Sequence, residues 1–268
     1  MANVTIVKPG FGAGISRRTR WRLLRGRSIE LLSLVGGLAI WELMGWALGQ
    51  PWLPPFSRVL RALADMIASG AILGNLLSSL QMLAIGLAIS LALGLSIGAL
   101  MGYYRGVEET IDVFVHALLI APTMALAPIF FVLFGLTDST RVALIIVYAL
   151  PIIIINTSTG VRASDERLME MARSFGANDF QIIRRILLPA SLPIMFAGIR
   201  LGVGRGVKGM INGEMLIALV GLGALAQKFG GQFDTVKVVA VALVVLVVAL
   251  VADGIVDFLE SRYTAWVG

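Results

Sequence analysis

Residues 66–104 carry no charged side chain. A hydrocarbon core about 30 Å thick is crossed by about 20 residues of helix, so this one stretch is long enough to span a bilayer with residues to spare. The rest of the chain agrees with it. Of 268 residues, 58% are hydrophobic and 14% charged, where a soluble domain carries about 25% charged residues. No polar stretch is long enough for a separate soluble domain. The expected fold is all-α and polytopic, with about six transmembrane helices near residues 29–48, 82–103, 113–136, 142–160, 192–220 and 238–255. The expected organisation is a basic tail over residues 1–28 followed by one membrane domain over 29–262.

The charge pattern sets an orientation. Arg17, Arg18, Arg20, Arg22, Arg25 and Arg27 crowd the segment before the first span. In a soluble chain of net charge +6 and pI about 10.2, such a cluster would suggest nucleic acid. Before an apolar span it marks the cytoplasmic side or meets anionic headgroups. With both termini cytoplasmic, fourteen Lys and Arg fall on cytoplasmic parts and five (Arg58, Arg61, Arg141, Lys228 and Lys237) on external parts, with Arg200, Arg205 and Lys208 inside the fifth span. The apolar stretch after the arginines is too long for a secretory signal, and no small-residue cleavage site follows, so it reads as a retained signal-anchor. Cysteine is absent, which removes disulfides, thiolate metal sites and a cysteine nucleophile.

The most informative segment lies between the fourth and fifth spans. Ser164 is placed to cap a short helix, and Asp165 and Glu166 suit its positive end. Leu168, Met171, Ala172 and Phe175 recur at helical spacing and make one apolar face. Gly176 is positioned to end that helix in the left-handed region. Asp179 is a candidate cap for a second helix with the stripe Phe180, Ile183, Ile186 and Leu187, ended by Pro189. A solvated loop needs no apolar face, whereas a docking surface does.

These residues resemble the signature of permeases of ATP-binding-cassette importers, the inner-membrane components of binding-protein-dependent transport. That signature is Glu-Ala-Ala, three residues, Gly, nine residues, then Ile, any residue, Leu-Pro. Here it reads Glu170, Met171, Ala172, then Gly176, then Ile186, Leu187, Leu188 and Pro189. Met171 replaces the first alanine, a change to a flexible apolar filler. Leu53-Pro54-Pro55-Phe56-Ser57, Ala121-Pro122-Thr123, Pro128, Phe134-Gly135-Leu136, Gly198-Ile199-Arg200 and Gly221-Leu222-Gly223 further resemble the group that imports nitrate, taurine, sulfonates, bicarbonate and some cofactor precursors. The resemblance implies a type I importer permease fold and a permease dimer, expected to be a homodimer in the inner membrane. It also implies two cytoplasmic ATPases docked through Glu170, Met171, Ala172, Phe175, Gly176, Ile186, Leu188 and Pro189, and an extracytoplasmic substrate-binding protein. No G-x-x-x-x-G-K-[ST] phosphate loop is present, so the chain is expected to be a transport subunit rather than an enzyme, with ATP and Mg on the partner.

Charges within a span are costly and usually face protein or water. Arg205, Lys208, Asn212 and Glu214 are therefore candidates for the translocation path, the cations favouring an anionic substrate. Lys208 and Glu214 are poorly spaced to pair on one straight helix, and a break at the neighbouring glycines would permit pairing or a re-entrant segment. Gly94, Gly98 and Gly102, and again Gly198, Gly202 and Gly206, have the spacing that lets helices approach closely, either within one subunit or at a moving or subunit-joining interface. Pro122, Pro128 and Pro151 are expected to kink spans three and four. His116 has no partner at metal spacing, and Glu42 has no evident partner. The alternative is a secondary transporter, which would usually show an internal repeat; an intramembrane enzyme would need clustered acid–base groups. Neither accounts for the loop.

Overall fold

The computed structural model describes residues 17–164, 166–217 and 219–264, without the side chains of residues 17–28, 30, 31 and 166. The proposed roles of Asp165 and the Glu166 side chain, and the segment before Arg17, lie outside what is described. The chain divides into two compact units after Val59.

In the first unit, helix α1 (Arg17–Leu48) begins within the arginine cluster, earlier than the span expected at 29–48. Its apolar part is Leu32–Leu48. Glu42 has partners that sequence did not reveal. It accepts hydrogen bonds from the Ser57 backbone N–H at 2.9 Å, the Ser57 hydroxyl at 2.7 Å and the Trp46 indole at 2.7 Å. Ser57 lies in the first turn of α2 (Phe56–Ala68), where free N–H groups and the helix dipole favour a carboxylate. The Trp41 indole donates to the Pro54 carbonyl at 3.0 Å. Gly45 faces Pro55, where an added Cβ would lie 2.6 Å from the proline Cα. The Pro54-Pro55 landmark is thus a strap seated against α1.

The second unit contains α3 (Ala71–Tyr103), α4 (Arg105–Ile120), α5 (Thr123–Phe134), α6 (Asp138–Arg162), α7 (Glu166–Ser174), α8 (Asp179–Ile182), α9 (Leu188–Ile217), α10 (Leu222–Gly231) and α11 (Thr235–Tyr263). Four helical stretches are long and apolar enough to cross a membrane: Ala71–Tyr103, Asp138–Arg162, Asp179–Ile217 and Thr235–Tyr263. The third expected span, 113–136, is not one helix. Its halves, α4 and α5, meet at 104°. Pro122 disfavours helix in the residue before it, and Ala121 accordingly has ψ 136°. If the pair counts as one broken span and Leu32–Leu48 as a short one, the six expected segments are all accounted for.

Helix α6 packs between α3 and α9. The glycines expected to permit close approach do so within this one chain. A Cβ at Gly94, Gly98 or Gly102 would lie 2.6 Å from the Ile153, Thr157 or Val161 side chain of α6. On α9, Gly198 receives Asn156 and Gly202 receives Ile153, while Gly206 faces Leu87 of α3. Close approach of small-residue faces is what drives helix association where lipid offers no hydrophobic contrast. Helix α11 returns along α9, with Phe196 and Tyr263 stacked 6.4 Å apart. Arg200 pairs with Asp253, Asp257 and Glu260 of α11, so its charge is matched by carboxylates on the neighbouring helix. Asp234 caps α11, and its hydrogen bond and ion pair with Lys237 hold its carboxyl below the usual range.

Candidate functional site

The loop between α6 and α9 is built by local rules. Helix α7 ends in a Schellman motif. Gly176 has φ +79°, the Ala177 N–H donates to the Ala172 carbonyl at 3.0 Å, and the Gly176 N–H donates to Arg173 at 2.9 Å. Gly176 is required by the left-handed backbone. Ala172 and Ala177, the pair whose contact accompanies this motif, both pack with Met169 and Ile183 against Val161, Ile182 and Leu187. The second alanine of the signature therefore faces inward, beneath the helix end it helps to close.

Ala172 thus leaves the outward face expected for it with Leu168, Met171 and Phe175, and three other expectations change. Ser164 does not cap α7, because its hydroxyl has no hydrogen-bond partner among the described residues. The cap of α8 is Asn178, one residue before Asp179. Its side chain accepts from the Gln181 N–H at 2.9 Å and the Gln181 side chain accepts from the Asn178 N–H at 3.0 Å, a reciprocal capping box. Pro189 does not end the helix. Residues Ile183–Leu187 form a π turn, with the Leu188 N–H donating to Ile183, and α9 continues through Pro189 and Pro193. The wide turn leads into Pro189, which sits in the first turn of α9, where a missing N–H costs little.

The result is a presented apolar knob. Phe175 is 85% exposed, Phe180 68%, Met171 54% and Leu168 44%. Glu170 and Gly176 are exposed beside them, Ile186, Leu188 and Pro189 are half-buried, and Leu187 is buried. Phe175 and Phe180 flank the Gly176 turn, one on each limb. Exposed apolar groups gathered in this way, rimmed by charge, mark an interaction surface. Covering each phenylalanine would contribute about 1.5–3 kcal/mol.

One polar junction beneath the knob was not anticipated. Tyr103, the last residue of α3, donates its hydroxyl to Asp179 at 2.5 Å and accepts from the Arg173 guanidinium at 3.0 Å. That hydrogen bond raises the already high Arg173 pKa further. The sequence signal was slight, one of two adjacent tyrosines at the end of the long uncharged run.

The span-five candidates separate into two groups. Arg205 and Lys208 line a cavity of about 280 Å³ with Thr123, Tyr148 and Pro151, beside the α4–α5 bend. Asn212 donates to the Tyr148 hydroxyl at 2.8 Å, one turn further along. Glu214 is not with them. It is fully buried and is held by Arg141 at 2.5 Å, by the Ser79 hydroxyl at 2.7 Å and by the Gly223 N–H at 2.9 Å. The glycines do not break α9, so Glu214 and Lys208 stay apart on one continuous helix and Glu214 pairs across to α6. Arg141, counted by charge as part of an external loop, is 4% exposed in the first turn of α6. Ser79 also accepts from the Leu222 N–H at 2.9 Å, and Asn75 accepts from the Gly221 N–H at 2.8 Å. The N–H groups of Gly221, Leu222 and Gly223, at the start of α10, are thus taken by side chains. Gly221, with φ +114°, leaves the space that the Glu214 carboxylate occupies, since an added Cβ would lie 2.3 Å from its carboxyl carbon. His116 is half exposed and meets its own-helix neighbour Asp112 at 3.2 Å.

Comparisons with known proteins converge on this architecture. The family model described as binding-protein-dependent transport system inner membrane component matches residues 90–265. A riboflavin transport system permease protein of Chloroflexus aurantiacus is 35% identical over 257 residues, covering 93% of each chain. A putative aliphatic sulfonates transport permease protein of Escherichia coli is 34% identical over 235 residues, covering 87% of this chain and 89% of that one. The fold is similar to that of a chain in an inward-facing structure of the MetNI methionine ABC transporter. The TM-score is 0.61 at 20% identity, over 70% of this chain and 93% of that one. The chain belongs to the binding-protein-dependent transport system inner membrane components, the permease subunits of ATP-binding-cassette transporters.

Proposed function

We propose that this permease works as a homodimer in a bacterial inner membrane, docks one ATPase on the knob of each copy, and receives its solute from an extracytoplasmic binding protein. The observation that carries the docking assignment is the pair Phe175 and Phe180, both largely exposed on a loop whose inward side is well packed. The Lys and Arg bias supports a cytoplasmic position for this loop and for both termini. ATP and Mg belong to the partner. Nucleotide-driven motion of the ATPases would act on the loop and, through it, on the helices that enclose the path.

The docking assignment is tested by co-purification. A tagged chain extracted from its own membrane is expected to bring down an ATPase. A Phe175→Asp, Phe180→Asp double variant loses the two aromatics that docking would cover and adds charge at the contact, so the amount recovered falls by about tenfold or more. Full retention of the ATPase would reject the docking surface. Uptake abolished by a protonophore but not by ATP depletion would instead favour a secondary transporter.

For the solute, Arg205 and Lys208 supply two cations to one cavity, and among the described residues no carboxylate lines it. This favours a small anion such as a sulfonate, nitrate, bicarbonate or related organic acid. The relatives named for aliphatic sulfonates and for riboflavin indicate how far substrate varies within the family. Lys208→Gln is expected to lower ethanesulfonate uptake in intact cells about tenfold at unchanged expression, because a cation is worth most where water is scarce. Unchanged uptake would remove Lys208 from the path.

A further inference from the structure

The Tyr103 hydroxyl occupies a particular place in the loop's geometry. Arg173 is in the last turn of α7 and Asp179 is the first residue of α8, so the two lie on opposite limbs of the knob, with Gly176 between them. Directly they are 3.7 Å apart. The phenol closes that gap, accepting from one limb and donating to the other. Its ring packs in the same apolar cluster as Met169, Ala172 and Leu187. Tyr103 is also the end of α3, and the preceding residue, Gly102, is in contact with Val161 of α6. The Arg162 guanidinium, at the end of α6, pairs with Glu108 of α4 and reaches the Met101 carbonyl at 3.5 Å. The lower ends of α3, α4 and α6 are thus tied to one another, and Tyr103 ties the knob to them.

We infer that Tyr103 is a positioning residue that locks both limbs of the loop to the end of α3, so that a displacement of the knob is delivered to α3 and α6. The inference rests on the docking reading for its purpose, but the lock itself does not. Two hydrogen bonds that each involve a charged partner are stronger than ordinary ones, and both converge on a single atom. Without the hydroxyl the knob keeps its shape and its phenylalanines, loses these two hydrogen bonds of its tether to α3, and keeps the apolar contacts of the ring.

Tyr103→Phe removes only the hydroxyl and leaves the ring in its cluster. The native chain has no cysteine, so spin labels can be placed at Leu93→Cys on α3 and Ser174→Cys on α7, both exposed positions. The full-length permease in liposomes, with and without its ATPase, is measured by pulsed electron spin resonance. The labelled parent is expected to give one narrow distance distribution. Tyr103→Phe is expected to broaden it about twofold as the loop gains local freedom, with the melting temperature unchanged and the same amount of ATPase bound. Asp179→Ala, which removes the acceptor, is expected to broaden it likewise. A distribution unchanged by Tyr103→Phe overturns the lock. So does loss of the ATPase from Tyr103→Phe, since the hydroxyl would then shape the docking surface rather than tether it. Failure of the docking reading is a separate result, seen when the Phe175→Asp, Phe180→Asp variant keeps its ATPase while the distance measurements still respond to Tyr103.

Discussion

Replacing Gly98 with leucine is expected to leave almost no folded permease. The Cβ alone would lie 2.6 Å from the Thr157 Cβ and 2.7 Å from the Ile154 carbonyl oxygen. The first contact is a Cβ fixed directly to the backbone and the second is backbone itself, so both move only if α6 moves. Helix α6 cannot retreat, because its other face is seated against Gly198 and Gly202 of α9. Overpacking a well-filled interior costs about 1–3 kcal/mol when neighbours can adjust, and here they cannot. Gly74→Leu is the matched control: it lies on the same helix, and nothing comes within 4 Å of its Cβ position. It is expected to be neutral or slightly stabilising, since leucine is a better helix former than glycine. The check is the yield of monodisperse protein after detergent extraction. Equal yields from the two variants would contradict the packing described for α3 and α6.

Glu214→Ala is the second large effect. Arg141 is 4% exposed and Glu214 is fully buried, so removing the carboxylate leaves a buried guanidinium whose one remaining carboxylate partner among the described residues is Asp138, at 2.8 Å. Breaking a buried pair from one side costs about 3–5 kcal/mol. The loss reaches beyond the pair, because the Gly223 N–H and the Ser79 hydroxyl also lose their acceptor, and with them α10 loses part of its N-terminal capping. The thermal midpoint in detergent is expected to fall sharply. The double variant Arg141→Met, Glu214→Gln is expected to recover much of it, because no unpaired charge remains and glutamine still offers an acceptor to Gly223. If the double variant is as damaged as Glu214→Ala, the cost is not that of an orphaned charge.

What could be read from sequence divides along the range of the interactions. Gly176 was legible because a helix end in the left-handed region is fixed by a few consecutive residues, whereas Ala172, read as part of the outward apolar face, packs inward. The cap of α8 was legible too and was misread: Asn178 has Gln181 three residues on, the spacing of a capping box, whereas Asp179 has Ile182 there. What no local pattern shows is the partner of Asp179, the Tyr103 hydroxyl, 76 residues away. Pro122 announced a kink, but whether the chain bends slightly or turns by 104° depends on the extended residue before it and on what packs around the corner. The glycine stripes were visible, while their partner was not, since Ile153, Thr157 and Val161 look like any β-branched residues in a span. Glu214 was singled out as costly and grouped with Lys208 as a candidate for the path, but the cavity lined by Lys208 does not include it. Its partner, Arg141, precedes the apolar run of another helix and reads as part of a loop until the fold is known.

The central claim, that the knob at Phe175 and Phe180 meets the ATPase, is tested most directly by proximity. Single cysteines are introduced at Phe175, at Phe180 and, as the control, at Phe233, which is 91% exposed in the turn between α10 and α11, at the other end of α11 from the knob. Each variant is produced with its ATPase in native membranes and treated with a short thiol-to-amine crosslinker. Adducts of permease plus ATPase from positions 175 and 180, and none from 233, are the predicted result. Adducts from 233, or their absence from both knob positions while the ATPase still co-purifies, would contradict it.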